Sequence, residues 1–454
     1  MHTIINTNNF RNISYILISI AALFMFMPIH IQFIGEESVY AVFMQQMLES
    51  NDYINAFYRP PLFLWITILL EKTFHFSSID IPLRVTSILF SLSTAGFSAL
   101  FAHKVFQHAN AGIIAALTFL TLGEIQFWYG WLGYADATLL FFVFASTSSI
   151  WMAAQFKQIR WYALAILFMN CAFLTKAVTV YAFFFTTLLI VAIGFNSWRF
   201  FLRPTNILLT SLVFLAPAWW IHTHGAGASS TSNSLIYDIM MRFTTIDPVH
   251  YIKHIIQMPL ELFARMAPMS LLLLWYAYST KTFSIDKPTR LMMLIFTINF
   301  LPYWLAPFSN MRHCIPLFAW GSMLLTYYLL QYGSHLQIKA LKIIAVVLIL
   351  KIPFSFWGLP LLKEKGKDHA FYPVAQEINT LTNNGTPLRQ LNDSFVGFAV
   401  TAYINEMREP KPYIKFYSPA DHNVYVLAYN PIKNGKLIKK YVLFGSPLLL
   451  VYVP

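Results

Sequence analysis

The chain runs to 454 residues, of which 57% are hydrophobic and only 11% charged, with a formal net charge of +12. Apolar runs of roughly 17 to 22 residues recur along it, about what a helix needs to cross a ~30 Å hydrocarbon core, so a soluble globule is excluded. The basic residues sit in short clusters between those runs, as cytoplasmic anchors do, and not as a stripe on one face; nucleic acid is excluded as a partner.

The first apolar segment, residues 13 to 34, has no small-residue cleavage site before Glu36 and reads as a retained signal anchor. It leads into Gly35-Glu36-Glu37-Ser38. Two carboxylates where a helix meets water are costly at the edge of a bilayer, so this pair marks chemistry or ion binding. From Ser38 to Leu48, Val39, Val42, Phe43 and Met47 recur at helical spacing around Gln45 and Gln46, which predicts a helix lying in the interface. Arg59-Pro60-Pro61 comes next, then the run Leu62 to Leu70, closed by Glu71 and Lys72 and only about half as long as a crossing requires. It suits a juxtamembrane or re-entrant helix.

Further spans are expected at residues 82 to 102, 109 to 128, 138 to 155, 161 to 175, 177 to 195, 205 to 222, 259 to 279, 290 to 306, 313 to 331 and 340 to 362. With the first, these make about 11 transmembrane helices, each near the length that a bilayer demands. The 161 to 175 and 177 to 195 segments form a tight hairpin with Lys176 at its outer tip. If the short run after Pro61 does not cross, the loops holding His103-Lys104, Lys157 with Arg160, Arg199 with Arg203, Lys281 with Lys287 and Arg290, and Lys339 with Lys342 all share the side of Arg11. The opposite, outer face then collects residues 35 to 81, 129 to 137, the Lys176 turn, 223 to 258, 307 to 312 and everything after 363. The loop at 223 to 258 opens on small and polar residues and reads as flexible. Trp128-Tyr129 and Trp219-Trp220 belong to an interfacial aromatic belt.

After residue 363 no spanning run remains. Residues 371 to 382 read as a helix, and 413 to 417, 424 to 427 and 437 to 443 as short strands. The expected fold is an α-helical polytopic membrane protein with juxtamembrane helices, residues 1–362, followed by a small α/β domain, residues 363–454. No internal repeat of the transporter kind is present. Cys171 and Cys314 lie within apolar stretches and have neither metal-binding nor redox spacing.

The ionisable residues expected on the outer face are few: Glu36, Glu37, Arg59, Asp136, Lys176, Arg242 and Arg312. Each suits a structural role as well. Glu36, Glu37 and Asp136 are placed to cap helices, and Arg59 to snorkel towards headgroups. His222, His224, His250 and His254 flank the large loop as interfacial histidines; without companions, the first two do not make a metal site. The acids leave room for a divalent cation, and no cofactor motif is present.

Taken together, the acidic pair Glu36-Glu37, the segment Arg59-Pro60-Pro61-Leu62, Asp136 followed by Leu139-Leu140-Phe141-Phe142, the turn Phe173-Leu174-Thr175-Lys176 and the pair Arg242-Phe243 resemble a known pattern. It is that of the membrane glycosyltransferases of the C-type fold, in the branch with the protein O-mannosyltransferases and the aminoarabinose transferases of lipid A. The first acid of that family is usually Asp, whereas Glu36 is one methylene longer, and Ala177 stands where Gly is usual. The resemblance implies a catalytic role for Glu36, with Glu37 and Asp136 beside it, and phosphate binding by Arg59, Lys176, Arg242 and Arg312. It implies a polyprenyl-phosphate sugar donor, inverting transfer to a hydroxyl or phosphate of a glycan, lipid or protein acceptor, and a site on the periplasmic face of a bacterial inner membrane. A base for the acceptor proton and cations for the departing phosphate are what such chemistry requires. A transporter or flippase of lipid-linked sugars is the alternative, its acids then coupling ions.

Overall fold

The computed structural model describes residues 7–54, 59–176, 179–224, 248–280, 285–307, 309–363, 370–383, 385–391, 395–408 and 412–454. The chain is a polytopic helical membrane protein with a small C-terminal sheet domain. Helix Ala135–Phe156 is its axis, buried over 94% of its most apolar stretch. It packs on Asp80–Phe106, Ile159–Lys176, Val180–Gly194 and Leu317–Gln331. A knot of edge-to-face rings from three of these helices, Phe101, Phe144, Trp151 and Trp320, fixes the crossing, with centroids 5.6 to 6.2 Å apart. The indole of Trp320 can be wholly buried because its Nε1 donates to Thr147 Oγ1 at 3.0 Å.

Four described helices are long and apolar enough to cross a bilayer by themselves: Asp80–Phe106, Ala135–Phe156, Pro204–Thr223 and Ser334–Lys363. The other expected runs are shorter, less apolar or bent. Residues 259 to 279 were expected to be one straight span, but the run is divided between Pro248–Arg265 and Met269–Thr280, which meet at 99°. Hydropathy reports composition and carries no information about direction. Residues 109 to 128 divide too, into Ala111–Leu120 and a π turn, Ile125–Tyr129, separated at Gly123, whose N–H donates to Ala267 O at 2.7 Å. That bond ties this break to the bend after Arg265. Leu62–Phe74 is a helix of 13 residues, about 20 Å long at 1.5 Å per residue.

The helix expected to lie in the interface is present as Glu37–Ser50, yet most of it is buried. Gln45 Nε2 donates to Ala402 O at 3.1 Å, Asn405 Nδ2 donates to Gln45 Oε1 at 2.8 Å, and Phe43 meets Phe398 and Phe416. An amphipathic stripe looks the same whether lipid or protein covers it; here the helix Phe395–Arg408 of the C-terminal domain does. That domain holds a five-stranded sheet of order β2-β1-β3-β5-β4, with β1 Leu388–Gln390, β2 Lys415–Phe416, β3 Val424–Ala428, β4 Lys436–Leu443 and β5 Ser446–Val453. β1 runs parallel to β2 and β3, and β5 antiparallel to β3 and β4.

If the 13-residue helix lies outside the bilayer core, reporter fusions after Lys104 and after Lys157 both report the side of Arg11. Fusions at these two points that report the side of Asp136 would contradict the arrangement.

Candidate active site

The first outer segment is held by one arginine. Arg84, one turn into helix Asp80–Phe106, is wholly buried and donates to Glu37 through Nε at 3.0 Å and Nη2 at 2.7 Å, a bidentate pair. Its Nη1 donates to Asp80 Oδ2 and Ile29 O, both at 2.8 Å, and its Nη2 to Gln32 O at 3.2 Å. Glu37 also accepts from the Ile34 N–H at 2.8 Å and the Gly133 N–H at 2.6 Å. One carboxylate and one guanidinium thus fasten the loop before Glu37 to the turn before Asp136. Gly35 is required between them: its φ is +56°, and a Cβ there would fall 2.5 Å from the Tyr134 hydroxyl.

That hydroxyl donates to Ile34 O at 2.8 Å and accepts from the Glu36 N–H at 3.0 Å, so Glu36 stands directly over Tyr134. Arg312, in the short turn Met311–Cys314 ahead of Leu317–Gln331, lies 4.4 Å from the centre of the Tyr134 ring. Its Nη1 reaches Glu36 Oε2 at 2.8 Å and its Nε donates to Asp136 Oδ2 at 2.8 Å. The other oxygen of Asp136 pairs with Lys176 Nζ. Glu36, Arg312, Asp136 and Lys176 therefore form a chain of alternating charge, drawn from four separate segments. Asp136 is 1% exposed and occupied on both oxygens, whereas Glu36 is 49% exposed. Burial works against the charge of Arg312, but the carboxylates of Asp136 and Glu36 more than offset it, and its pKa is raised. Among the described residues its Nη2 is buried and has no hydrogen-bond partner.

Three of the sequence candidates, Glu36, Asp136 and Lys176, are thus joined through a fourth, Arg312. Arg59 is exposed and acts electrostatically on Tyr40, a residue that also senses Arg312, Asp136 and Glu36. Arg59 is therefore on the same side of the site. Glu37 faces away from the cluster, into the Arg84 pair. Arg242 lies outside the described residues. The sequence reading passed over Arg84, Tyr134 and Tyr40. Burial pushes the Tyr40 hydroxyl up to about 12. A charge inside an expected span, such as Arg84, is the signal that could have been used.

A cavity of about 850 Å³ opens beside Arg312, between helix Pro248–Arg265 and the turn Ser309–Met311, with Tyr129, Lys253, His254 and Arg265 on its walls. Among the described residues no group of three or more His, Cys, Asp or Glu converges on a metal position. Both Asp136 oxygens already face cations.

No family model matches the sequence, and no curated protein matches it. Solved structures do. ArnT from Cupriavidus metallidurans in the apo state superposes with a TM-score of 0.66 at 12% identity, covering 96% of this chain and 97% of that one. The same protein bound to undecaprenyl phosphate gives 0.67 at 14% identity over the same shares. The chain has the ArnT fold. The match extends over the transmembrane helices and the C-terminal sheet alike, since so little of either chain is left uncovered.

The two acids of the pair are expected to behave oppositely on substitution. Glu37→Ala strips a buried guanidinium of its partner, a change that costs about 3–5 kcal/mol, whereas Glu36→Ala at a half-exposed site costs about 1 kcal/mol or less. Thermal unfolding in detergent checks this, and equal destabilisation by the two substitutions would contradict it.

Proposed function

We propose that this chain transfers a sugar from a polyprenyl-phosphate-linked donor to an acceptor hydroxyl or phosphate at the periplasmic face of a bacterial inner membrane. What supports the reading most is the orphaned Arg312 Nη2. A buried donor left unmade costs about 1–3 kcal/mol, and an anionic oxygen at that point removes the penalty. The solved ArnT complex with undecaprenyl phosphate, a protein of the same fold, supplies the ligand class.

In this mechanism Glu36 is the base. Its carboxylate is the exposed end of the charge chain, at the surface an acceptor would approach. As the acceptor oxygen bonds to the anomeric carbon, Glu36 takes the proton and the bond from that carbon to the phosphate oxygen breaks with inversion. The polyprenyl phosphate leaves with the bonding electrons and one more negative charge. Arg312, through the Nη2 that Glu36 and Asp136 leave unused, stabilises that charge together with Lys176 and Arg59. Asp136 holds Lys176 and Arg312 in place, and Glu37 fixes the loop that carries Glu36. Arg242 is proposed as a further phosphate contact from the large loop. Residues 1–362 would form the transferase body and residues 363–454 an outer domain.

Lipid and glycan analysis of cells with and without the gene identifies donor and acceptor. With these in hand, single-turnover transfer by Glu36→Gln is expected to fall by about 10²- to 10⁴-fold while donor binding is retained. Near wild-type transfer by this variant would refute the assignment of the base. Movement of lipid-linked sugar across vesicles, dependent on Glu36 and without transfer, would replace the enzyme by a flippase.

A further inference from the structure

A second concave surface lies far from the charge cluster. Helix Ser334–Lys363 passes from it to the outer segment, where Gln32 Nε2 donates to Lys363 O at 2.8 Å. Lys339 precedes Lys363 by 24 residues, which at 1.5 Å per residue puts the two about 36 Å apart along the axis, a full bilayer core. Arg11, paired with Asn110 Oδ1 at 3.2 Å, belongs to the first helix, which packs along Ser334–Pro353. By the distribution of basic loops, Lys339 and Lys342 face the cytoplasm.

Here Lys339 and Lys342 stand at the rim of a groove of about 630 Å³, whose remaining walls are Pro268, Leu271, Leu272, Trp275 and Ile343. Its two sides, Met269–Thr280 and Ser334–Pro353, each pack on Leu317–Gln331. Polarity changes along its length. The Lys339 ammonium sits 4.5 Å from the centre of the Trp275 ring, Lys342 is exposed three residues on, and towards the bend after Arg265 the walls become wholly apolar. Among the described residues neither lysine is paired with a carboxylate. Asp286, on the same end of the bundle, is taken up by the Thr289 N–H and the Tyr327 hydroxyl.

We infer that this groove binds an anionic glycerophospholipid of the cytoplasmic leaflet, with its phosphate between Lys339 and Lys342 and an acyl chain along Leu271, Leu272 and Ile343. Two adjacent ammonium groups above an apolar trough match a phosphodiester above a hydrocarbon chain in both charge and order. A zwitterionic lipid brings its own cation to the two lysines and loses the attraction. Basic pockets between transmembrane helices on the cytoplasmic side recognise acidic headgroups in this way. The indole, amphipathic and half in the groove, suits the level of the headgroups. This inference is independent of the proposed transfer reaction, because no residue of the outer cluster takes part.

Native mass spectrometry of the full-length protein in detergent tests it, with phosphatidylglycerol, phosphatidylcholine and undecaprenyl phosphate offered separately. Wild type is expected to retain phosphatidylglycerol in preference to phosphatidylcholine. Lys339→Ala with Lys342→Ala should weaken that retention by about tenfold or more, and Lys339→Arg with Lys342→Arg should preserve it. Leu271→Trp, which fills the trough and leaves both charges, should also lose the lipid. Equal retention by wild type and the double alanine variant would overturn the inference, as would equal retention of the two phospholipids. Loss of undecaprenyl phosphate alone in the double alanine variant would overturn it too, by giving the groove to the polyprenyl lipid.

Discussion

Everything at the outer face hangs on the bidentate pair between Arg84 and Glu37. A guanidinium that is wholly buried at the end of a membrane helix has to find acceptors within the protein, and this one finds two carboxylates and a series of backbone carbonyls in the segment 29 to 32. Backbone that carries no helical bonds of its own is thereby given partners, which a loop at the edge of a bilayer must have. Because Glu37 also accepts from the Gly133 N–H, the same pair brings the turn before Asp136 up against the loop that carries Glu36. The separation of the charge cluster from this clamp explains why two neighbouring glutamates in the sequence do different things. Glu37 turns inward to Arg84, and the left-handed backbone at Gly35 helps to turn Glu36 outward over Tyr134.

The cluster itself is balanced. Glu36 and Asp136 carry two negative charges against Lys176 and Arg312, so the four can be brought together at the protein surface without a net field. Arg312, among the described residues, retains an unused donor. In the proposed reaction that N–H meets the phosphate of the sugar donor without a large change in position. Preorganised donors of this sort stabilise charge that develops on a leaving group more effectively than water does, because they need not reorient.

Much of the framework was legible in the sequence, because length and hydropathy are properties of composition. The long apolar runs at 82 to 102, 138 to 155 and 340 to 362 are recovered as helices that exceed them by a few residues. Direction was not legible. The 99° bend after Arg265 interrupts a run that remains apolar throughout, and it is set by tertiary contacts such as the bond from Gly123 to Ala267 O. In the C-terminal domain, the helix Phe371–Leu381 and strands β2 to β4 fall on the expected segments, while β1, β5 and the helix Phe395–Arg408 were passed over. β1 is three residues long, and β5 is a nearly continuous apolar strand that lacks the alternation by which a half-exposed strand is recognised. Of the site, the sequence shows which carboxylates and cations stand near the mouths of helices. It cannot show that Arg312 links Glu36 to Asp136, since those partners are 276 and 176 residues away from it in the chain and meet only through packing.

In the proposed reaction Arg312 receives the phosphate of a polyprenyl lipid beside Glu36. Direct titration of undecaprenyl phosphate into the purified protein in detergent tests it, with wild type compared with Arg312→Gln and Glu36→Gln. Loss of a charge-assisted hydrogen bond to a phosphate oxygen is worth about 1.5–3 kcal/mol, so Arg312→Gln is expected to bind roughly 10- to 100-fold more weakly, while Glu36→Gln binds at least as well as wild type. Equal affinity of Arg312→Gln and wild type would rule out Arg312 as the phosphate-binding residue.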